Sequence, residues 1–107
     1  MPDLAAGARR LRDFQAFHEW LDDARGFNRD PLFNFVKLQE EIGELARLVA
    51  ARSGARSDAD VPTALEAIGL ELADVLACLL KMANYLGVDL EAAYLEKMQT
   101  NLNRRWP

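Results

Sequence analysis

The chain holds one cysteine and one histidine. Cys78 sits in an apolar helical run with no second thiol to pair with, so an internal disulfide is excluded. A reducing compartment suits such a chain, and a cytoplasmic location is the expectation. Basic runs are absent and the net charge is −4, which argues against a protein that coats nucleic acid. The first ten residues, M-P-D-L-A-A-G-A-R-R, contain no apolar segment of signal-peptide length. Long uninterrupted apolar stretches are missing too. The most apolar one, residues 68–86, carries Glu71, Asp74 and Lys81. Each charge near a bilayer centre would cost roughly 2.5–3.5 kcal/mol, so the stretch reads as a buried helix of a soluble protein with no membrane partner. Strand alternation, internal repeats and low-complexity tracts are also lacking.

What remains is helix. Leu11, Phe14, Phe17 and Leu21 recur at three- and four-residue spacing, predicting an amphipathic helix over residues 8–24. Arg25-Gly-Phe-Asn-Arg-Asp30 breaks it. Asp30-Pro31 opens a second helix, because Asp caps and Pro takes the first turn without losing a hydrogen bond. That helix extends to about Arg52, with Leu32, Val36, Leu38, Ile42, Leu45 and Val49 as expected core positions. The polar stretch 53–60 is a loop. Thr63-x-x-Glu66 has the form of a capping box and predicts the start of a third helix, which stops at Gly87. Asp89 caps a fourth helix from Leu90 to about Arg104. Half the residues of the 107-residue chain are apolar, which is enough for one core. The fold class is therefore all-α: one domain, residues 1–107, forming a four-helix bundle. So small a domain is marginal alone, and a chain of this size leaves apolar surface of its third helix poorly covered, so a homodimer or homotetramer is expected.

The chemistry-bearing pattern is L-Q-E-E-I-G-E-L-A-R-L, residues 38–48, with Glu40, Glu41 and Glu44 in one sector of the second helix. Glu71 and Asp74 form E-x-x-D on the third helix, in a run with hardly any other polar residue. Acidic clusters on helices are mostly solvated faces. Charges inside an apolar run, however, need a partner, and few cations lie nearby in the sequence. Antiparallel packing of the two helices would make an oxygen-rich pocket suited to Mg²⁺, with Mn²⁺ as a substitute. Gly43 and Gly69 lie within two residues of these acids; they serve either close approach and ligand space, or ordinary tight helix packing. Lys97, Asn101 and Arg104 share a face of the fourth helix and suit phosphate oxygens, the alternative being a solvated terminal helix. Among the aromatics, Trp20 and Phe35 are the candidates for contact with a base. His18 reads as a surface or packing residue.

Together, E-E-x-x-E, the polar loop, Glu71-Leu-Ala-Asp74-Val-Leu, Ala83-Asn84-Tyr85-Leu86-Gly87-Val88-Asp89-Leu90 and the ending from Glu96-Lys97-Met98 to Asn103-Arg104-Arg105-Trp106-Pro107 resemble the MazG-like nucleoside triphosphate pyrophosphohydrolases of the all-α NTP pyrophosphatase superfamily. The resemblance covers about residues 30–107. It implies helical chains that pair, and cleavage of a nucleoside triphosphate between the α- and β-phosphates by metal-activated water, for cleansing of the nucleotide pool. Carried over, Glu41, Glu44, Glu71 and Asp74 look like the Mg²⁺ ligands, and Glu40 like the acid that takes the proton of the attacking water, with Glu41 the second residue of that catalytic pair. Lys97, Asn101, Arg104 and Arg105 look like phosphate contacts. Two positions depart from the family. Lys81 stands where an apolar residue is usual, and is expected to pair with a carboxylate on a neighbouring helix rather than reach toward substrate. Cys78 stands where an aromatic is common, which leaves base preference open. The rival readings are a phosphoribosyl-ATP pyrophosphohydrolase-like enzyme and a non-catalytic, metal-stabilised dimerisation module. A di-iron carboxylate bundle is disfavoured because no Glu precedes His18 by three residues.

Overall fold

The computed structural model describes residues 10–54 and 61–104. Its four elements are all helices: α1 (Leu11–Arg25), α2 (Pro31–Arg52), α3 (Leu65–Leu86) and α4 (Leu90–Leu102). The all-α class therefore holds. None of these helices is long and apolar enough to cross a membrane.

Helix boundaries follow local chemistry. At α1 the Asp13 carboxylate accepts from the Arg10 N–H at 3.1 Å and the helix runs from Leu11; residues 8 and 9 of the expected span lie outside the described residues. Gly26, with φ 64°, closes it in the left-handed conformation, its N–H bonding the Asp22 carbonyl at 2.9 Å. Asp30 caps α2 through the Phe33 N–H at 3.0 Å, with Pro31 in the first turn. Asp89 caps α4 through the Ala92 N–H at 3.1 Å, and that bond holds its carboxyl below the usual range. The capping box expected at Thr63 is not where α3 begins. The helix opens at Leu65, and the Thr63 carbonyl instead accepts from Arg52 Nη1 at 2.7 Å.

By contact the chain divides into two compact units, Met1–Asn28 with Leu80–Pro107, and Arg29–Leu79. In the first, Gln15 on α1 is buried and fully engaged. Its amide donates to Asn84 Oδ1 at 3.0 Å and to the Val88 carbonyl at 2.9 Å, and its carbonyl accepts from the Leu90 N–H at 2.9 Å. Arg10 pairs with the buried Glu91 at 2.6 Å, and Arg12 with Asp89 at 3.1 Å. These bonds tie α1 to the turn between α3 and α4, around buried Leu80 and Ala83.

In the second unit the core is Leu48, Val61 and Ile68, with Leu45 and Ala51 packed against it and Leu38 also buried. Arg52 meets Thr63, Leu48 meets Ile68, and Glu41 lies opposite Glu71 and Asp74. Rising numbers on one strand of this ladder face falling numbers on the other, so α2 and residues 65–79 of α3 run antiparallel. Of the expected core positions on α2, Leu38 and Leu45 pack inward. Leu32, Val36, Ile42 and Val49 do not; they are 71%, 47%, 48% and 48% exposed. On the helical wheel Ile42 and Val49 lie within about 40° of Leu38 and border the Leu38–Leu45–Leu48 arc, while Leu32 and Val36 lie further round, beyond Phe35. Period alone could not separate the two apolar arcs.

Candidate metal centre

The antiparallel pairing of α2 and α3 brings three carboxylates together. Glu41, Glu71 and Asp74 each place an oxygen within 4.8 Å of the others. Glu71 and Asp74 are one turn apart on α3, so both reach the α2 side. Glu41 and Glu71 are half-buried and Asp74 is exposed. The group is open to solvent on the Asp74 side.

Its electrostatics are unfavourable as it stands. The Glu71 carboxyl is pushed up from 4.5 to about 7, first by its hydrogen bond with Glu41, then by burial, then by the charges of Glu41, Asp74 and Glu44. Two carboxylates in contact resist carrying full charge together without a cation, so Glu71 keeps its proton to higher pH than an ordinary carboxyl. Glu71 Oε1 is buried and has no hydrogen-bond partner. Oxygens bound to one Mg²⁺ at about 2.0–2.1 Å lie about 3–4 Å from each other. The trio, with its orphaned buried oxygen, fits such an ion with small adjustments.

The other expected acids stand differently. Glu44 is exposed and lies 3.8 Å from Arg47 one turn along α2. It is outside the trio yet near enough to raise the Glu71 carboxyl. Glu40 is exposed and is also outside the trio. On α4, Lys97 is exposed and Asn101 is half-buried; Arg104 is exposed but lies beyond the end of α4 at Leu102, so it does not continue the helical face expected for the three. Asn101 Nδ2 lies 4.0 Å from Met98 Sδ, and its Oδ1 is buried without a hydrogen-bond partner. Arg105 lies outside the described residues.

A family model, the MazG nucleotide pyrophosphohydrolase domain, matches residues 30–106. The chain belongs to this family. Neither the comparison with curated proteins nor that with solved structures returns a match. The MazG match begins at the cap of α2 and takes in all five acids and the whole of α4.

Among the base-side candidates of this MazG chain, Phe35 is 47% exposed on α2, while Trp20 is half-buried on α1 with its ring 6.2 Å from that of Phe17. His18 packs edge-on to Phe17 at 5.2 Å. Burial lowers its pKa, assisted by the Lys81 charge and opposed by that of Asp22. Sequence reasoning passed over Asp22. It is 2% exposed, accepts from the Tyr85 hydroxyl at 2.7 Å and lies 3.5 Å from Lys81 Nζ. Lys81 thus pairs with a carboxylate of a neighbouring helix. Asp22 was one of several acids on an amphipathic helix, and only its i,i+4 spacing from His18 hinted at the inward face. Gly43 and Gly69 have nothing within 4 Å of where a Cβ would stand, so tight packing against described parts of the chain does not explain them.

Proposed function

We propose that the chain is a Mg²⁺-dependent nucleoside triphosphate pyrophosphohydrolase, a single domain that converts a ribo- or deoxyribonucleoside triphosphate and water to the monophosphate and pyrophosphate. The carrying observation is the group of oxygens from Glu41, Glu71 and Asp74, within 4.8 Å of one another in a chain of the MazG family. Carboxylates repel a triphosphate, so an acidic site can serve phosphoryl transfer only through cations. Glu41, Glu71 and Asp74, with Glu44 on the next turn of α2, would hold the ion. Bound there, Mg²⁺ supplies charge neutralisation and Lewis acidity toward the phosphate oxygens.

The remaining work falls to side chains. Glu40, exposed beside Glu41, takes the proton of the water that attacks the α-phosphorus. Lys97, Asn101, Arg104 and Arg105 neutralise and orient the phosphates and ease departure of pyrophosphate. Trp20 and Phe35 are the initial candidates for the base side. The exposed apolar face of α2, from Leu32, Phe35 and Val36 to Ile42 and Val49, favours association as a homodimer or homotetramer. The role is clearance of unwanted nucleotides in the cytoplasm.

The test is product analysis with ribo- and deoxyribonucleoside triphosphates, in Mg²⁺ or Mn²⁺ and in chelator. Monophosphate plus pyrophosphate, lost in chelator, is expected. Glu41→Gln and Asp74→Asn should each abolish turnover while the helical content stays unchanged; turnover retained in both would overturn the ligand assignment. Turnover of phosphoribosyl-ATP alone would favour the related hydrolase. No turnover of any nucleotide, with stability still raised by metal, would favour the dimerisation module.

A further inference from the structure

Helix α2 carries Lys37, Arg47 and Arg52. Two of these cations are engaged close by. Arg47 lies 3.8 Å from Glu44, and Arg52 Nη1 donates to the Thr63 carbonyl at 2.7 Å. Lys37 differs. It is exposed, and Glu40 and Glu41 stand three and four residues further on, a spacing at which opposite charges on one helix can meet. Among the described residues no ion pair joins them. The ammonium instead stands 5.8 Å from the centroid of the Phe33 ring, one turn back along α2, and Phe33 is 45% exposed.

The place of Lys37 on the helix gives that arrangement a use. Phe33, Lys37, Glu41 and Glu44 fall within about 80° of one another around α2, and Lys37 stands one turn, about 6 Å along the axis, before Glu41. Lys37 and Glu44 lie to one side of the Leu45–Leu48 arc that packs against Ile68. On α3, Asp74 likewise lies to one side of Ile68 and Glu71. Both sectors trail the contact arc in the direction of the helical turn. Antiparallel helices wind in opposite senses when viewed down the pair, so the two sectors fall on the same flank. Lys37, Glu44 and the exposed Asp74 therefore share one edge of the metal centre, all within the compact unit Arg29–Leu79.

An ion held by Glu41, Glu71 and Asp74 draws phosphate oxygens to that edge, and one divalent cation leaves part of the charge of a pyrophosphate group unneutralised. We propose that Lys37 binds the pyrophosphate group of the metal-bound substrate, with Phe33 as the residue that positions its ammonium. A cation–π contact holds an ammonium without occupying its three donors on a carboxylate, so they stay available to phosphate oxygens. It also keeps the ammonium off Glu40 and Glu41, where it would compete with the ion. The inference rests on the pyrophosphohydrolase reading for the identity of the ligand.

The test measures binding apart from turnover. Calorimetry with Mg²⁺ alone, and with inorganic pyrophosphate at saturating Mg²⁺, is run on the parent, on Lys37→Met, Lys37→Arg and Phe33→Leu, and on the variant carrying both Lys37→Met and Phe33→Leu. Both positions are exposed, and helicity is checked for each variant. Lys37→Met should weaken pyrophosphate binding by about tenfold or more, the scale of one hydrogen bond to a charged group. Lys37→Arg, which keeps the charge, should stay within about threefold of the parent. Mg²⁺ alone should bind Lys37→Met as tightly as the parent or up to about threefold more tightly, since a like charge beside the ion is gone. Phe33→Leu should weaken pyrophosphate about two- to fivefold and add nothing to Lys37→Met, the coupling expected where the ring acts through the ammonium. Pyrophosphate binding that is absent in the parent, or unchanged in Lys37→Met, overturns the proposal. Loss of Mg²⁺ affinity in Lys37→Met also overturns it, because Lys37 would then support the acids rather than touch the ligand. A Phe33 effect that adds in full to that of Lys37→Met refutes the positioning role of the ring. A parent whose pyrophosphate binding depends on Lys37, yet which hydrolyses no triphosphate, refutes the pyrophosphohydrolase reading and leaves the phosphate site standing.

Discussion

Replacing Glu71 by Gln should stabilise the metal-free protein. The Glu71 carboxyl titrates at about 7 in the folded chain against 4.5 as its ordinary value. Between those two values the folded state keeps a proton that the unfolded chain has released, so stability falls as pH rises through the window and the loss is complete above pH 7. A shift of that size corresponds to at most about 3 kcal/mol. The cluster opens to solvent at Asp74, and screening by water and salt reduces the figure to about 1 kcal/mol. Gln keeps the shape and the hydrogen bond to Glu41 without the charge. In chelator at pH 8, Glu71→Gln should therefore melt roughly 4–8 °C above the parent, with the gap closing toward pH 4.5. Saturating Mg²⁺ should reverse the order, because the ion stabilises only a form that binds it. Thermal melts across pH, with and without the ion, measure both effects. A variant that melts at or below the parent in chelator at pH 8 would refute the account of a strained acidic pair.

The same shared proton should appear in binding calorimetry. Mg²⁺ binding at pH 6 should release close to one proton, seen as a dependence of the observed heat on buffer ionisation enthalpy, and release should vanish at pH 8.5. Equal release at both values would place the proton elsewhere. At the start of α2, Asp30→Ala removes the acceptor of the Phe33 N–H and should cost about 1 kcal/mol in urea unfolding; an unchanged midpoint would mean that Pro31 and packing alone hold that end.

Much of this fold was legible in residue order because the signals are local. Asp30-Pro31, Gly87 and Asp89 mark helix ends through bonds that reach only three or four residues, and the structure places caps and stops there. The acids of the site were legible because Glu71 and Asp74 interrupt an apolar run and share a face by helical period alone. Thr63 failed because the form of a capping box does not by itself place a helix start: α3 opens at Leu65, and the Thr63 carbonyl accepts from Arg52. Val36, Ile42 and Val49 failed because an apolar residue at helical spacing states that a face is apolar, not that this chain covers it.

The sequence by itself determined the four helices, the class, and which residue types stand near one another on each helix, since those follow from period and capping. Tertiary structure alone decided the rest. It selected Glu41, and not Glu40 or Glu44, to join Glu71 and Asp74 in the trio, because only one flank of α2 faces α3 in their antiparallel pairing. It also buried Asp22 against Lys81 and Tyr85. Both outcomes turn on which side of one helix meets another, a property of packing between distant segments that no local pattern encodes.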